Sequence, residues 1–331
     1  MAEIVSTTPG LYPLPDWAKD ELSKLKGHQR SDLIGGDESD AVVAVYEEAR
    51  SEVIESQQSA GLDRIVEGQL RWDDMLAHPL AVHDSVETRG IVRYYDNNNF
   101  YREPVVTGEL TADGDVAAEL TAADDQVGAG LQAVLPGPYS LAELATDEYY
   151  GDDAAFLDAV ADFLAGEAEQ FPDVETLLLL EPSLVTDAPD DGEDERASDA
   201  IDTVASALDT DVVVQTYWGA LEEKVHAHLL DADVDAVGYD FVTDHEQNLY
   251  NINEYGTKDS IGLGVVDGQN TLVETPGEIR ERIEWVDDRT TADFETIYAT
   301  ANTELFYLPV NKFEEKLRAL AGAADAEEVT A

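Results

Sequence analysis

Glu67, Glu181 and Asp240 stand at or beside the polar ends of short aliphatic runs, where paired carboxylates could act as general acid and general base on a glycosidic bond. In a chain with 73 Asp and Glu among 331 residues, three such acids also arise from composition alone. A denser concentration lies at residues 93–104, Arg-Tyr-Tyr-Asp-Asn-Asn-Asn-Phe-Tyr-Arg-Glu-Pro. Tyr94, Tyr95, Phe100 and Tyr101 favour strands, while Asn97, Asn98 and Asn99 favour turns, so the stretch predicts two short strands joined by a polar turn. Such a cassette serves either as a structural hairpin with aromatic cross-strand pairs or as a binding loop. His226 and His228 are two apart in a helical stretch, pointing about 200° away from each other, and cannot grip one ion from that helix. His245, after Asp240 and Asp244, reads as a loop histidine. The stretch Gly262-Leu-Gly-Val-Val-Asp-Gly268 lacks the glycine spacing and lysine of a phosphate loop. No cysteine is present, which excludes disulfides, thiol nucleophiles and thiolate metal sites.

The positioning elements show as short aliphatic or β-branched runs, most followed by a segment with helical periodicity. Eight are expected as strands: Ile4–Thr8, Arg64–Gly68, Gln132–Pro136, Thr176–Leu180, Val212–Thr216, Asp235–Tyr239, Ile261–Val266 and Glu304–Leu308. Helices are expected near Ser39–Ala60, Asp152–Gln170, Asp194–Leu208, Ala220–Leu230, Pro276–Val286 and Asn311–Ala321. This alternation predicts an α/β fold, a (β/α)8 TIM-type barrel occupying residues 1–331, with a β-hairpin insertion after the second strand. The insertion, about residues 71–130, is expected over the C-terminal rim, and residues 322–331 as a disordered tail. Chemistry in such a barrel sits at the C-terminal strand ends, which here carry Gln69 to Asp74, Glu181-Pro182-Ser183, Tyr217-Trp218-Gly219, Asp240, Asp267 to Asn270 and Pro309 to Asn311.

The formal net charge is −54, with acids spread along the whole length and only seven lysines. In dilute buffer such a surface repels itself, whereas at 1 M salt the Debye length falls to about 3 Å and the repulsion is screened. The composition therefore points to a cytoplasm with molar salt, and the melting temperature is expected to rise as KCl is added; a flat curve would count against this. No basic cluster offers the phosphate contacts that nucleic-acid binding requires. The start, Met-Ala-Glu-Ile-Val-Ser-Thr-Thr, lacks a basic and apolar leader, and the longest aliphatic run, Leu177–Leu180, cannot span a bilayer, so a soluble cytoplasmic protein is expected with no membrane partner.

With these strand ends in place, the chain resembles the cobalamin-independent methionine synthases. The resemblance rests on Thr7-Thr-Pro-Gly-Leu-Tyr-Pro13, on Gly61-Leu-Asp63 with Gly68-Gln-Leu-Arg-Trp-Asp73, and on Tyr95-Asp-Asn-Asn98 through Pro104. It continues in Pro136-Gly-Pro-Tyr139, Glu181-Pro-Ser-Leu184, Thr216-Tyr-Trp-Gly219, Gly264-Val-Val-Asp-Gly-Gln-Asn270 and Leu308-Pro-Val310. The family commonly pairs two barrels, the second holding zinc through one histidine, one glutamate and two cysteines. This chain is similar to the zinc-free N-terminal barrel, standing alone: the positions matching the ligands hold Tyr217, Gly219, Asp240 and Thr303 or Glu304, and two acids that face the substrate amino group are replaced by Gln69 and Leu180.

The resemblance implies methyl transfer from 5-methyltetrahydrofolate, or a related methyl carrier, to homocysteine. It implies no metal or cofactor on this chain, zinc on a partner chain, and a hetero-oligomer with that zinc-binding barrel. For the carrier the sequence offers aromatic faces in Trp72, Tyr95, Tyr101 and Trp218, polar groups in Asn98, Asp240 and Asn270, and cations for an acidic tail in Arg71, Arg93 and Arg102. Asp73, Asp96, Glu181, Tyr217 and Asp267 complete the substrate-binding candidates, and no catalytic residue is assigned. Salt bridging to local acids such as Asp73 and Glu103 is the competing role for the arginines. Two other readings stay open, a noncatalytic module of the same family and a barrel hydrolase using Glu67, Glu181 and Asp240.

Overall fold

The computed structural model describes residues 2–24, 39–95 and 99–325. In chain order the strands among them are β1 (Glu3–Ser6), β2 (Ile65–Val66), β3 (Val86–Arg93), β4 (Phe100–Val106), β5 (Leu131–Pro136), β6 (Thr146–Asp147), β7 (Thr176–Leu180), β8 (Asp211–Gln215), β9 (Ala236–Asp240), β10 (Ser260–Val266) and β11 (Thr296–Ala301). The helices are α1 (Asp16–Leu22), α2 (Asp40–Ala60), α3 (His78–Ala81), α4 (Asp115–Val127), α5 (Pro138–Glu143), α6 (Asp153–Ala168), α7 (Ser183–Thr186), α8 (Glu193–Ala205), α9 (Glu223–Leu229), α10 (His245–Tyr255), α11 (Pro276–Asp287) and α12 (Val310–Ala324).

Eight parallel strands form one curled sheet in the order β1-β11-β10-β9-β8-β7-β5-β2. The last seam, between β1 and β2, is closed by individual bonds: Arg64 N–H donates to Ser6 O at 3.1 Å, Ser6 N–H to Asp63 Oδ2 at 2.8 Å, and Tyr12 N–H to Gly68 O at 2.9 Å. Because β2 is only two residues long, Gln132 of β5 reaches past it, accepting from Thr7 Oγ1 at 2.6 Å and donating to Thr8 O at 2.9 Å. The result is a TIM-type barrel. Its strands are apolar on both faces, as in β7 (Thr-Leu-Leu-Leu-Leu), because one face fills the barrel and the other meets the helices. Gly238 of β9 leaves the space that the buried Gln215 side chain fills. Among the described residues no helix is long and apolar enough to cross a membrane.

The helices form where an apolar stripe and an end signal coincide. Thr275 and Glu278 make a capping box at the start of α11, with Pro276 in its first turn, and Asp152 caps α6 through Ala155 N–H. Seven of the expected strands overlap observed ones, but the eighth does not. The strand is Thr296–Ala301, and residues 304–308 are a bent rim segment with Leu305 and Leu308 buried. Alanines at 299 and 301 weaken the strand signal, and a short apolar run marks burial without distinguishing a strand from a buried turn.

The insertion carries a hairpin after the second barrel strand. β3 pairs antiparallel with β4, setting Ile91 opposite Arg102 and Arg93 opposite Phe100, with a bulge between Thr88 and Ile91. The hairpin begins seven residues before Arg93, and β6 joins it through β4. Helix α4, also within 71–130, is the link from β2 back to β5. Of the expected tail, α12 continues through Ala324 and residues 326–331 lie outside the described residues.

Candidate functional site

Backbone strain locates the site. Leu11, Gln69, Tyr95 and Trp218 are the non-glycine residues with left-handed φ (47°, 46°, 35° and 70°) among those described. They follow β1, β2 and β8 or form the hairpin tip, so all lie at the C-terminal mouth. Such conformations cost on the order of 1–3 kcal/mol each and persist where surrounding contacts enforce them. For Trp218 the enforcing group is Asp240. Its Oδ2 accepts from Trp218 N–H (2.9 Å) and Thr243 Oγ1 (2.6 Å), its Oδ1 accepts from the N–H groups of Val242 and Thr243, and Asn302 Nδ2 lies 3.1 Å from both oxygens.

The Trp218 indole borders a cleft of roughly 460 Å³ that also takes in Thr243, Asp267, Gln269, Asn270 and Asn302. Asp267 Oδ1 accepts from the N–H groups of Gln269 and Asn270, and Asn270 Oδ1 from Leu272 N–H, which folds the loop after β10 into consecutive tight turns. Three of the residues expected from sequence, Trp218, Asp267 and Asn270, therefore share one open cleft, with Asp240 beneath them. Asn302, Thr243 and Gln269 are additions. Asn302 follows β11, whose alanines leave the sequence without a strand signal there, so no rim position is expected at 302.

At the other side of the mouth, the Tyr95 hydroxyl shares a 2.5 Å hydrogen bond with Ser183 Oγ, and its ring meets Trp218 edge-on at 5.2 Å. Tyr95, just past β3, thus reaches into the barrel mouth. Tyr101 is buried against Tyr94 at 4.5 Å, while Arg93 lies over Phe100 at 5.7 Å on the outer face. Asp96 and Asn98 fall outside the described residues.

Other expected residues serve packing. Arg71 forms an ion pair with Glu119 of α4, Nε to Oε1 at 2.9 Å, and lies over Tyr46 of α2, in the helix layer. Trp72 is buried and stacked on His78 at 5.4 Å. Asp73 accepts from Arg102 Nε at 2.7 Å, the local ion pair anticipated as the competing role for that arginine. Glu181 is fully buried at the start of α5, its oxygens taking the N–H groups of Tyr139 and Ser140 and the Ser140 hydroxyl; burial still lifts its pKa to about 7. Glu67 is turned toward the helix layer, near Arg50 of α2, and burial together with Glu119 raises its pKa. Glu67, Glu181 and Asp240 thus have separate hydrogen-bond partners. His226 is buried and bonded to Tyr239 at 2.8 Å, and desolvation holds its pKa down at about 4.

The zinc ligand set can be tested on the same geometry. Tyr217 and Glu304, both fully buried, are joined by a 2.6 Å bond in which the phenol donates to Oε1, and burial pushes the Glu304 pKa up to about 7. Asp240 already receives bonds on both oxygens. With Gly219 supplying no side chain, these positions do not fit a zinc ion.

Comparison with known proteins agrees with this architecture. The family model described as cobalamin-independent synthase, N-terminal domain, matches residues 83–291. The methionine synthase of Saccharolobus islandicus is 24% identical over 283 residues, covering 84% of this chain and 81% of that one. That of Sulfolobus acidocaldarius is 22% identical over 280 residues, covering 83% and 78%. Two solved structures share the fold: a B12-independent methionine synthase from Shewanella sp. W3-18-1 in complex with selenomethionine, with a TM-score of 0.78, 18% identity and 98% and 97% coverage, and a putative vitamin-B12 independent methionine synthase from Listeria monocytogenes, with a TM-score of 0.72, 17% identity and 98% coverage of each chain. Since the family model spans well over half of the sequence, from the start of the hairpin past the loop after β10, the chain belongs to the cobalamin-independent methionine synthase family.

Proposed function

We propose that this chain is the zinc-free member of a two-chain methionine synthase, holding the methyl carrier, 5-methyltetrahydrofolate or a related molecule, while a separate cysteine-bearing barrel holds zinc and homocysteine. The observation that carries the reading is the occupation of the family's ligand positions by internally bonded groups, Tyr217 with Glu304 and Asp240 with Asn302, directly beside an open cleft. In that cleft the Trp218 face suits a flat heterocycle, and the Asp267 carboxylate with the Asn270 amide suits its donor edge. This division of labour leaves thiolate formation to the partner's zinc and positioning to the present chain.

Zinc content and methyl transfer should be measured on the isolated chain, on the cysteine-bearing barrel, and on the two together. The expected result is full activity only for the pair, with zinc on the barrel. One bound zinc and activity in the isolated chain would refute the assignment. In the pair, Trp218→Leu should raise the KM for the methyl carrier. If it leaves all kinetic constants unchanged, the second reading, a noncatalytic supporting module, replaces the first.

A further inference from the structure

Large side chains left in solvent are Ile91, Phe100, Tyr149, Tyr250, Tyr255, Leu272 and Tyr307 among the described residues. The tyrosines each carry a polar hydroxyl; Ile91 (70% exposed), Phe100 (50%) and Leu272 (74%) have no polar side-chain atom. All three stand on the mouth side of the barrel, two on the hairpin and one in the loop after β10 that lines the cleft. Among the described residues, a chain rich in surface carboxylates keeps these bare apolar groups around its candidate site, a distribution that marks an interaction surface.

The hairpin register adds charge to this pattern. Arg93 is directly opposite Phe100 and Arg102 directly opposite Ile91, so the four side chains share one sheet face. Arg93 is exposed and lies over the Phe100 ring, and Arg102 keeps 41% of its side chain exposed while bonded to Asp73. In a protein of net charge −54, a face that joins two guanidinium groups to two apolar side chains is complementary to an acidic surface. Tyr95, just past β3 of the same hairpin, reaches Ser183 in the mouth, so whatever covers the outer face also lies beside the cleft.

We infer that the Ile91–Arg93–Phe100–Arg102 face of the hairpin is the docking surface for an acidic protein partner, the zinc-bearing barrel. This rests on the two-chain reading above and names the surface through which it works. A methyl group passes only between substrates in contact, so the partner must approach the mouth. The hairpin face offers the apolar anchors and the matching charge at that edge.

The test is a titration of the purified chain with the purified cysteine-bearing family barrel of the same organism, in molar KCl. The wild type is compared with Ile91→Asp/Phe100→Asp and with Tyr250→Asp as an exposed control on α10. The double substitution is expected to raise Kd at least about tenfold, as loss of central apolar anchors does, and the control to leave it unchanged. A single Arg93→Glu, which keeps the apolar residues and the fold, is expected to raise Kd as well, by more as salt is lowered. Binding by the wild type with the same Kd for all variants would overturn the docking face while sparing the two-chain reading. No binding by the wild type would remove both. Self-association lost in the hairpin variants would also overturn the proposal, by assigning the face to a second copy of this chain.

Discussion

Replacement of Lys316 by Met is expected to lower unfolding free energy by about 3–5 kcal/mol, the range found when one partner of a buried ion pair is removed. Lys316 is 1% exposed on α12, and its ammonium donates to Glu274 Oε2 at 2.6 Å and to Leu272 O at 2.7 Å. Glu274, almost as buried, uses Oε1 to accept Asp267 N–H at 2.9 Å, with Arg282 at 3.7 Å. Without the lysine, a buried carboxylate keeps one backbone donor and one distant arginine, and the carbonyl of Leu272 loses its donor. Both losses fall on residues 267–274, the segment that carries Asp267 and Asn270 into the cleft. Lys316→Met/Glu274→Leu should regain much of the stability, because an apolar pair replaces an ionic one, yet should leave the loop loose because Asp267 N–H then lacks its acceptor. Urea unfolding at fixed KCl measures both. A loss below about 1 kcal/mol for the single substitution would mean that the pair behaves like a solvated surface bridge.

These tethers show where sequence reading ends. The run Thr176–Leu180 could be bounded as a strand because a strand buried on both faces is apolar at every position. Trp218, Asp267 and Asn270 were legible because polar residues just after such runs must sit on the barrel rim. Arg71 and Trp72 satisfied the same rule and still lie elsewhere. After β2 the chain turns at Gln69, whose left-handed φ is held by Leu11 N–H bonding to its Oε1 at 2.7 Å, and the next residues pass outward to α2, α3 and α4. No local pattern announces a left-handed glutamine. The Tyr217–Glu304 bond joins residues 87 apart, and the Lys316–Glu274 pair joins residues 42 apart, so neither has any periodic signal. The Arg93–Pro104 stretch announced a hairpin, but only its second strand was placed: the first ends at Arg93, and Tyr94 and Tyr95, expected as strand, lie beyond it. That its outer face carries the apolar and cationic groups follows only from the register.

In molar KCl, lowering the pH from 8 to 5 is expected to stabilise the fold, the reverse of ordinary acid weakening. Glu181 and Glu304 are fully buried, and burial raises each from an ordinary 4.5 to about 7; Glu67 moves in the same direction. A carboxyl whose pKa is higher folded than unfolded contributes stability that is complete below about pH 4.5, where both states are protonated, and is lost as pH rises through the folded value. Between these limits the native state holds more protons, so the slope of unfolding free energy against pH is negative. A difference of this size is on the order of 3 kcal/mol per group across the window. Buried His226, held down at about 4 by desolvation, opposes this trend below about pH 6.5, by on the order of 2 kcal/mol at pH 5, less than the two carboxyls together. Carboxylates such as Asp147 and Asp194, held low by backbone N–H donors and, for Asp194, by Lys224, fail only below the ordinary aspartate range. Molar salt is needed to screen the surface, since relief of a −54 charge on acidification would otherwise give the same sign. Glu304→Gln separates the two causes: its amide oxygen can still accept the Tyr217 hydroxyl, its surface charge is unchanged, and its melting temperature should fall less steeply from pH 5 to 8 than that of the wild type. An unchanged slope in this variant would show that Glu304 ionises freely in the folded barrel, and with it that the phenol–carboxyl bond beneath the mouth is open to water.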